Sequence, residues 1–213
     1  MKEFNPDLLK KLYIPPSTSH KGQNGKLLII GGSKLFHAAS LWSLKVASRI
    51  VDMVFYSSVP ENNEIVRVAK QEFRDGIVVR RDQIESYIGE ADCVLIGPGL
   101  PRKEGQEEGD DDTKELTERL LKKYPQKRWV IDGGSLQTID PKFIPKDAIL
   151  TPHRKELETL FNIKYQISKI KNTYQKLKID SKTVEAMTSA YQCVILLKGL
   201  TDIVCSPTGC IKV

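Results

Sequence analysis

Short apolar runs recur along this chain, and five of them end in small or polar clusters. Residues 27–30 run into Gly31-Gly32-Ser33, Cys93–Ile96 into Gly97-Pro98-Gly99, and residues 129–131 into Asp132-Gly133-Gly134-Ser135. Residues 148–150 run into Thr151-Pro152-His153, and Val194–Leu197 into Lys198-Gly199. Between these strands, apolar residues return at helical spacing. Ala39, Trp42, Val46, Ala47, Ile50 and Val51 predict a helix over 38–51, packed through those side chains. Leu116, Leu120 and Leu121 predict another over 116–124. Met53–Ser57 and residues 77–80 read as further strands, residues 82–88 as a short helix, and residues 156–161 as the start of another. Ile167, Ile170, Tyr174 and Leu177 predict one or two amphipathic helices between Tyr165 and Tyr191. Residues 1–26 read as a short helix followed by a turn-rich segment. The alternation of strands and helices predicts right-handed βαβ units around a mainly parallel sheet, in one domain over 1–213.

In such a sheet, ligands bind beyond the carboxyl ends of the strands. Glycine there lets backbone N–H groups approach a phosphate, because no Cβ intervenes. Five such endings predict a single edge that holds a nucleotide-like anion. Each ending also has a plainer reading. Gly31-Gly32-Ser33 sits where a dinucleotide-binding turn would, but Lys34, Leu35 and Phe36 break the G-x-G-x-x-G spacing, and a tight turn explains it as well. Gly97-Pro98-Gly99 is either a rigid shallow surface or an ordinary turn. Asp132 is placed to orient a hydroxyl or a metal-bound water, or to cap the next turn. Pro152 stops a strand and starts a helix, leaving His153 over the cleft and Glu156 in the first helical turn; a hydrogen-bonded structural histidine is the alternative. Lys198-Gly199 brings an ammonium and a free backbone N–H toward a phosphate.

Composition narrows the classes. With 213 residues, 40% hydrophobic and 28% charged, the chain can bury a substantial core. Its net charge of +6 is spread along the sequence without basic runs interleaved with aromatics, which argues against nucleic acid and for a locally positive cleft. No apolar stretch approaches the roughly 20 residues of a membrane span, and the first eleven residues do not read as a secretory signal. Cys93 and Cys193 act as small buried hydrophobes. Cys205 and Cys210 flank a hairpin turn, and reduced thiols in a cytoplasm are expected. The acidic stretch 103–113 reads as a solvated loop, with metal binding as the alternative.

Six motifs appear in order. They are His20-Lys21-Gly22 with Gly25, Gly31-Gly32-Ser33 with Ala38-Ala39, IGPGL at 96–100, VIDGGSL at 130–136, ILTPHRKEL at 149–157 and VILLKG at 194–199. Together they resemble the ADP/ATP-dependent NAD(P)H-hydrate dehydratases, a branch of the ribokinase-like superfamily, over nearly the whole chain. The resemblance implies a three-layer α/β/α fold with a mainly parallel central sheet. It implies that Ala39, Gly99 and His153 contact the hydrated dinucleotide, and that Lys198, Gly199, Leu200, Thr201 and Asp202 lie along ADP or ATP. Glu156 stands where the wider superfamily has an Asn-x-x-Glu element tied to Mg²⁺ and phosphate. The implied reaction repairs damaged NADH and NADPH: a phosphoryl group activates the hydroxyl of the hydrated ring, and elimination restores the dihydropyridine. The implied partners are NAD(P)HX and ADP or ATP, with no nucleic acid and no membrane, for a homo-oligomer in the cytoplasm.

Three departures accompany the resemblance. His37 stands where the family usually has glycine, and Gly134 where it commonly has a second acidic residue. The family also continues, after its last hairpin, into an Asn-x-x-Gly segment and a Gly-Thr-Gly-Asp loop that carries the catalytic Asp, whereas this sequence stops at Val213. The domain is therefore expected to be incomplete at its C-terminal side, as a fragment or a shortened homologue, with one sheet face left open and no catalytic residue assignable. Two other readings compete with the lyase. One is a small-molecule kinase of the same superfamily, against which Thr151-Pro152-His153 stands. The other is a non-catalytic nucleotide-binding remnant.

Overall fold

A computed structural model describes residues 2–73, 76–161 and 179–213. The strands are β1 (Lys2–Glu3), β2 (Lys26–Ile30), β3 (Met53–Ser57), β4 (Ile77–Val78), β5 (Cys93–Ile96), β6 (Arg128–Ile131), β7 (Ile149–Leu150), β8 (Val194–Leu197), β9 (Ile203–Ser206) and β10 (Gly209–Lys212). They form one sheet in the order β1-β10-β9-β8-β7-β6-β5-β2-β3-β4. From β4 across to β8 every neighbouring pair is parallel, and β8, β9 and β10 turn back on one another as antiparallel hairpins. The expected mainly parallel α/β sheet is what forms.

Helices α1 (Ala38–Ala47), α2 (Pro60–Phe73), α3 (Ile84–Glu90), α4 (Thr113–Lys123), α5 (Gly133–Thr138), α6 (Arg154–Leu160) and α7 (Ser181–Tyr191) cover the two faces. Alternation along β2 divides the core: Leu28 and Ile30 point to one side, Ile29 to the other. The larger core gathers Phe55, Val94, Ile96, Trp129, Ile131, Leu150 and Ile195 against α3 to α7. The smaller one packs Ile29, Val54 and Tyr56 under Leu44 and Ala47 of α1 and Val66 of α2. On that second side Leu95, Val130, Val194 and Leu196 stay half-buried and Ile149 is exposed, so among the described residues no helix covers this part of the sheet fully. Local chemistry sets the helix ends. Asp112 accepts from Glu115 N at 2.9 Å to start α4, whose last turn carries Lys122 and Lys123, complementing the helix dipole at both ends.

Several sequence expectations need correction. Helix α1 ends at Ala47, and it buries Ser40, Leu44 and Ala47, while Trp42, Val46 and Ile50 face out. Both faces of that segment are apolar, so periodicity could not choose; the small Ser40 and Ala47 let the backbone sit close to the sheet. The strand expected over 77–80 is only two residues long, and the helix expected over 82–88 is a 3-10 turn, Arg81–Gln83, leading into α3. Ile167, Ile170, Tyr174 and Leu177 lie outside the described residues. Cys205 and Cys210, read as reduced thiols, are joined in a disulfide, because the hairpin register sets them directly opposite each other. The acidic loop is not simply solvated. Asp110 accepts from Lys34 N at 2.8 Å, and Asp111 pairs with Arg81 with both side chains largely buried.

His20-Lys21-Gly22 and Gly25 precede β2, at the end of the sheet opposite the glycine loops. There Asp52 Oδ2 accepts from Gly22 N (2.9 Å), Asn24 N (3.0 Å) and Asn24 Nδ2 (2.9 Å). These donors, the Asn24 N–H foremost, hold the Asp52 carboxyl below its ordinary value. A depressed folded-state pKa means stabilisation that is complete above the ordinary carboxylate pKa near 4 and is lost as pH falls through the lower folded value. Urea unfolding will therefore show the chain more stable than an Asp52→Asn variant at neutral pH, with the gap closing in acid.

Candidate functional site

Strands β2, β5, β6, β7 and β8 are consecutive in the sheet, and their ladder continues past the last strand residues into the loops. Gly97 N donates to Ile30 O at 3.0 Å, Asp132 N to Ile96 O at 3.0 Å, Thr151 N to Ile131 O at 3.2 Å and Lys198 N to Pro152 O at 2.9 Å. His153 and Lys198 form a parallel bridge. The five sequence endings thus stand side by side on one edge. Backbone pairing satisfies the loop N–H groups and makes the edge rigid.

At the β2 end, Gly32 N donates to Pro98 O at 2.8 Å. Gly99 lies directly against Gly32: a Cβ on Gly99 would meet Gly32 Cα at 3.2 Å and Phe36 O at 2.8 Å. Beneath this contact is a polar network that sequence reading did not find. Ser40 Oγ and Tyr56 OH are 2.8 Å apart, and Asn62 Nδ2 donates to Tyr56 OH and to Ser58 Oγ, each at 2.9 Å. His37 Nδ1 lies 3.1 Å from Asn62 Oδ1. Burial pushes the Tyr56 phenol up, so it stays a neutral hydrogen-bonding group. His37 is thereby tied to the network supporting the loop. Ala39 is exposed in the first turn of α1.

At the other end, Lys198 Nζ reaches Asp132 Oδ1 at 2.9 Å, and Thr151 Oγ1 donates to the same oxygen at 2.7 Å. Asp132 is 26% and Lys198 43% exposed at the side chain, so the pair is open to a ligand. His153 caps α6. Its Nδ1 accepts from Glu156 N at 3.2 Å, while Glu156 Oε2 accepts from His153 N at 2.8 Å, a reciprocal capping box. Gln137 Nε2 donates to Glu156 Oε1 at 3.0 Å. The Glu156 side chain is only 7% exposed, and both its oxygens are engaged, Oε2 in capping α6 and Oε1 in tying it to α5. Asp132, not Glu156, is the carboxylate in contact with Lys198. His153 thus fits its structural reading as the cap of α6, with its ring half exposed.

In the loop after β8, Gly199 N donates to Asp202 Oδ1 at 2.9 Å, so this N–H shapes the turn and is not the free donor the sequence predicted. Leu200 is fully exposed at the loop tip. Burial raises the Cys193 thiol to about 11 and also raises Cys93, in keeping with apolar packing. Gln137 and Thr151 were missed as partners of Glu156 and Asp132, since nothing in a sequence marks one polar side chain for another 19 residues away. Among the described residues, no three His, Cys, Asp or Glu side chains converge as a metal cluster, and no helix is long and apolar enough to cross a membrane.

This architecture, with glycine-rich and polar loops ending consecutive parallel strands, is that of a ribokinase-like α/β protein. A ribokinase-like superfamily protein from Enterococcus faecalis superposes with a TM-score of 0.69 at 17% identity, covering 99% of this chain and 70% of that one. The ADP/ATP-dependent NAD(P)H-hydrate dehydratase of Bacillus subtilis, co-crystallised with ATP/Mg²⁺, gives 0.71 at 19% identity, covering 99% and 72%. At the sequence level, the profile described as NAD(P)H-hydrate dehydratase matches residues 27–213, and the chain belongs to that family. It is 30% identical over 200 residues to the bifunctional NAD(P)H-hydrate repair enzyme of Methanopyrus kandleri, covering 91% of this chain and 36% of that protein. It is also 30% identical over 220 residues to the ADP-dependent (S)-NAD(P)H-hydrate dehydratase of Nitrosopumilus maritimus, covering 95% and 69%. The chain thus spans about a third of the bifunctional relative and about two thirds of the shorter one.

Proposed function

We propose that this chain binds ADP or ATP beside a hydrated nicotinamide dinucleotide and returns the latter to NADH or NADPH, a lyase reaction that repairs the coenzyme. The observation that carries this reading is the His153–Lys198 bridge, with Asp132 held between neighbouring strands. In this reading the residue that takes the dinucleotide and the residue that takes the nucleotide phosphates belong to adjacent strand ends paired through their backbones. The names of the relatives support the same chemistry.

The reaction must overcome hydroxide as a poor leaving group. Transfer of the terminal phosphoryl group to the ring hydroxyl, which releases its proton to solvent as the shortened nucleotide departs, makes phosphate the leaving group. The ring nitrogen lone pair then expels it, and loss of a proton from the adjacent carbon restores the double bond. Lys198 neutralises phosphate charge, and Thr151 and Lys198 together orient Asp132. The Gly32–Gly99 contact offers a flat backbone surface with no Cβ in the way, and Ala39 and His153 flank the dinucleotide. Leu200 covers the nucleotide as an apolar lid, in a loop that Asp202 braces and Gly199 and Thr201 complete. A donor set of oxygens suits Mg²⁺, which takes one or two carboxylates plus substrate phosphates. Asp132 fits that role by exposure and position, whereas Glu156 acts through His153. When bound, the ion offsets charge on the transferring phosphoryl group.

The reading places the chain in the cytoplasm as a homo-oligomer, for which the outward apolar ridge Trp42, Val46 and Ile50 is the supporting observation. Incubating the purified chain with hydrated NADH or NADPH, Mg²⁺ and either nucleotide will restore the dihydropyridine absorbance and release phosphate. A flat trace with both donors rejects the dehydratase reading, and a stable phosphorylated product in its place identifies a kinase.

A further inference from the structure

At the β3–β4 end of the same sheet edge lies a second feature, used by neither the phosphate loop nor the glycine surface. A cavity of about 460 Å³ opens between the first turns of α2 and the chain leaving β4, lined among others by Ser58, Asn63, Arg67, Arg80, Arg81 and Asp82. Three arginines are among its lining residues. Arg81 is the anchor, its side chain 17% exposed. Its Nη1 donates to Ser57 O at 2.9 Å and its Nε to Asp111 Oδ2 at 3.0 Å. Its Nη2 lies 2.8 Å from that same Asp111 oxygen, so Ser57 and Asp111 fix the whole guanidinium in place. Arg67 and Arg80 pair with Glu64 and Asp82 at exposed positions. Such pairs are weak, so their guanidinium forks can turn to a ligand that carries more charge.

The position along the edge names the ligand. In the reading proposed above, on which this inference rests, the damaged ring must lie beside the phosphoryl donor near His153 and Lys198. The β3 end is four strands from β7, about 19 Å at ordinary strand spacing. That is the direction left for the other end of an extended dinucleotide, its adenosine half. We infer that the Arg67–Arg80–Arg81 cavity receives the phosphate on the adenosine ribose, so that the site selects the phosphorylated coenzyme, NADPHX, over NADHX. A phosphomonoester dianion presents three oxygens to paired guanidinium forks, which the ribose hydroxyl of the unphosphorylated coenzyme cannot do.

The test needs no turnover. Calorimetry on the full chain, with NADP⁺ and NAD⁺ as probes, will show NADP⁺ bound about tenfold tighter or better. The Arg67→Gln, Arg80→Gln double variant, folded by circular dichroism, will bind the two alike. Equal affinities in the natural chain, or a preference that survives both substitutions, overturn the inference. If the double variant does not fold, the exposed Arg80→Glu alone decides: it must abolish or reverse the preference, and an intact preference overturns the inference. The two readings fail separately. NADP⁺ preference beside a flat turnover trace rejects the dehydratase and keeps the arginine site, and turnover without preference does the opposite.

Discussion

Lys198→Met will weaken ADP binding by about a hundredfold, measured by calorimetry on the purified chain. Two losses add. The ammonium is the cation on the rim beside Asp132, and a charge-assisted contact to phosphate contributes about 1.5–3 kcal/mol. Its removal also leaves the Asp132 carboxylate, 2.9 Å away in the intact pair, unneutralised in the path of an anionic ligand. Fold stability should hardly move, since the Lys198–Asp132 pair is partly exposed and such pairs are worth about 0–1 kcal/mol. The variant therefore separates binding from folding. Unchanged ADP affinity with an intact fold would remove Lys198 from the site, and with it the argument that the His153–Lys198 bridge joins two ligands.

Gly97→Ala will instead act on the fold, costing about 4 kcal/mol or preventing folding altogether. Gly97 has φ of 116°, a region closed to L side chains, and a Cβ there would lie 1.8 Å from Asp132 O and 3.0 Å from Ser135 Cβ. The contacted atoms are backbone on the neighbouring strand end, so no rotamer change relieves the clash. The two strands would have to separate at the point where Asp132 N bonds Ile96 O and Gly134 N bonds Gly97 O. Gly89→Ala is the matched control. It lies inside α3 with nothing within 4 Å of the added Cβ, and should gain about 0.5–1 kcal/mol from helix propensity. Urea unfolding of the two variants will show opposite signs. A Gly97 variant as stable as the natural chain would mean that the strand ends are not packed as described.

The edge was legible because each strand announces its own end. A run of apolar residues followed by glycine or proline is local information, and parallel βαβ topology then brings all such ends to one side. These two facts alone bring Gly31, Gly97, Asp132, His153 and Lys198 to one edge. Local pattern failed where two faces of one segment were equally apolar, as in α1, where Trp42 and Val46 point out and Ser40 points in. It failed again where a polar residue's partner was distant in sequence. The acidic loop reads as solvent-loving, yet Asp111 is drawn down by Arg81, 30 residues earlier. Glu156 looks available for a metal until Gln137 and the His153 backbone claim both its oxygens.

The chain by itself determined the α/β class, the rim of ligand-facing loops and the family, since these depend on patterns within a few residues. Tertiary structure decided which charges meet: Lys198 with Asp132 across 66 positions, Arg81 with Asp111, and Cys205 with Cys210 through hairpin register. The physical reason is range. Periodicity and turn chemistry act over a few residues, whereas an ion pair or a buried hydrogen bond depends on separation in space, which is set only once the sheet has ordered its strands.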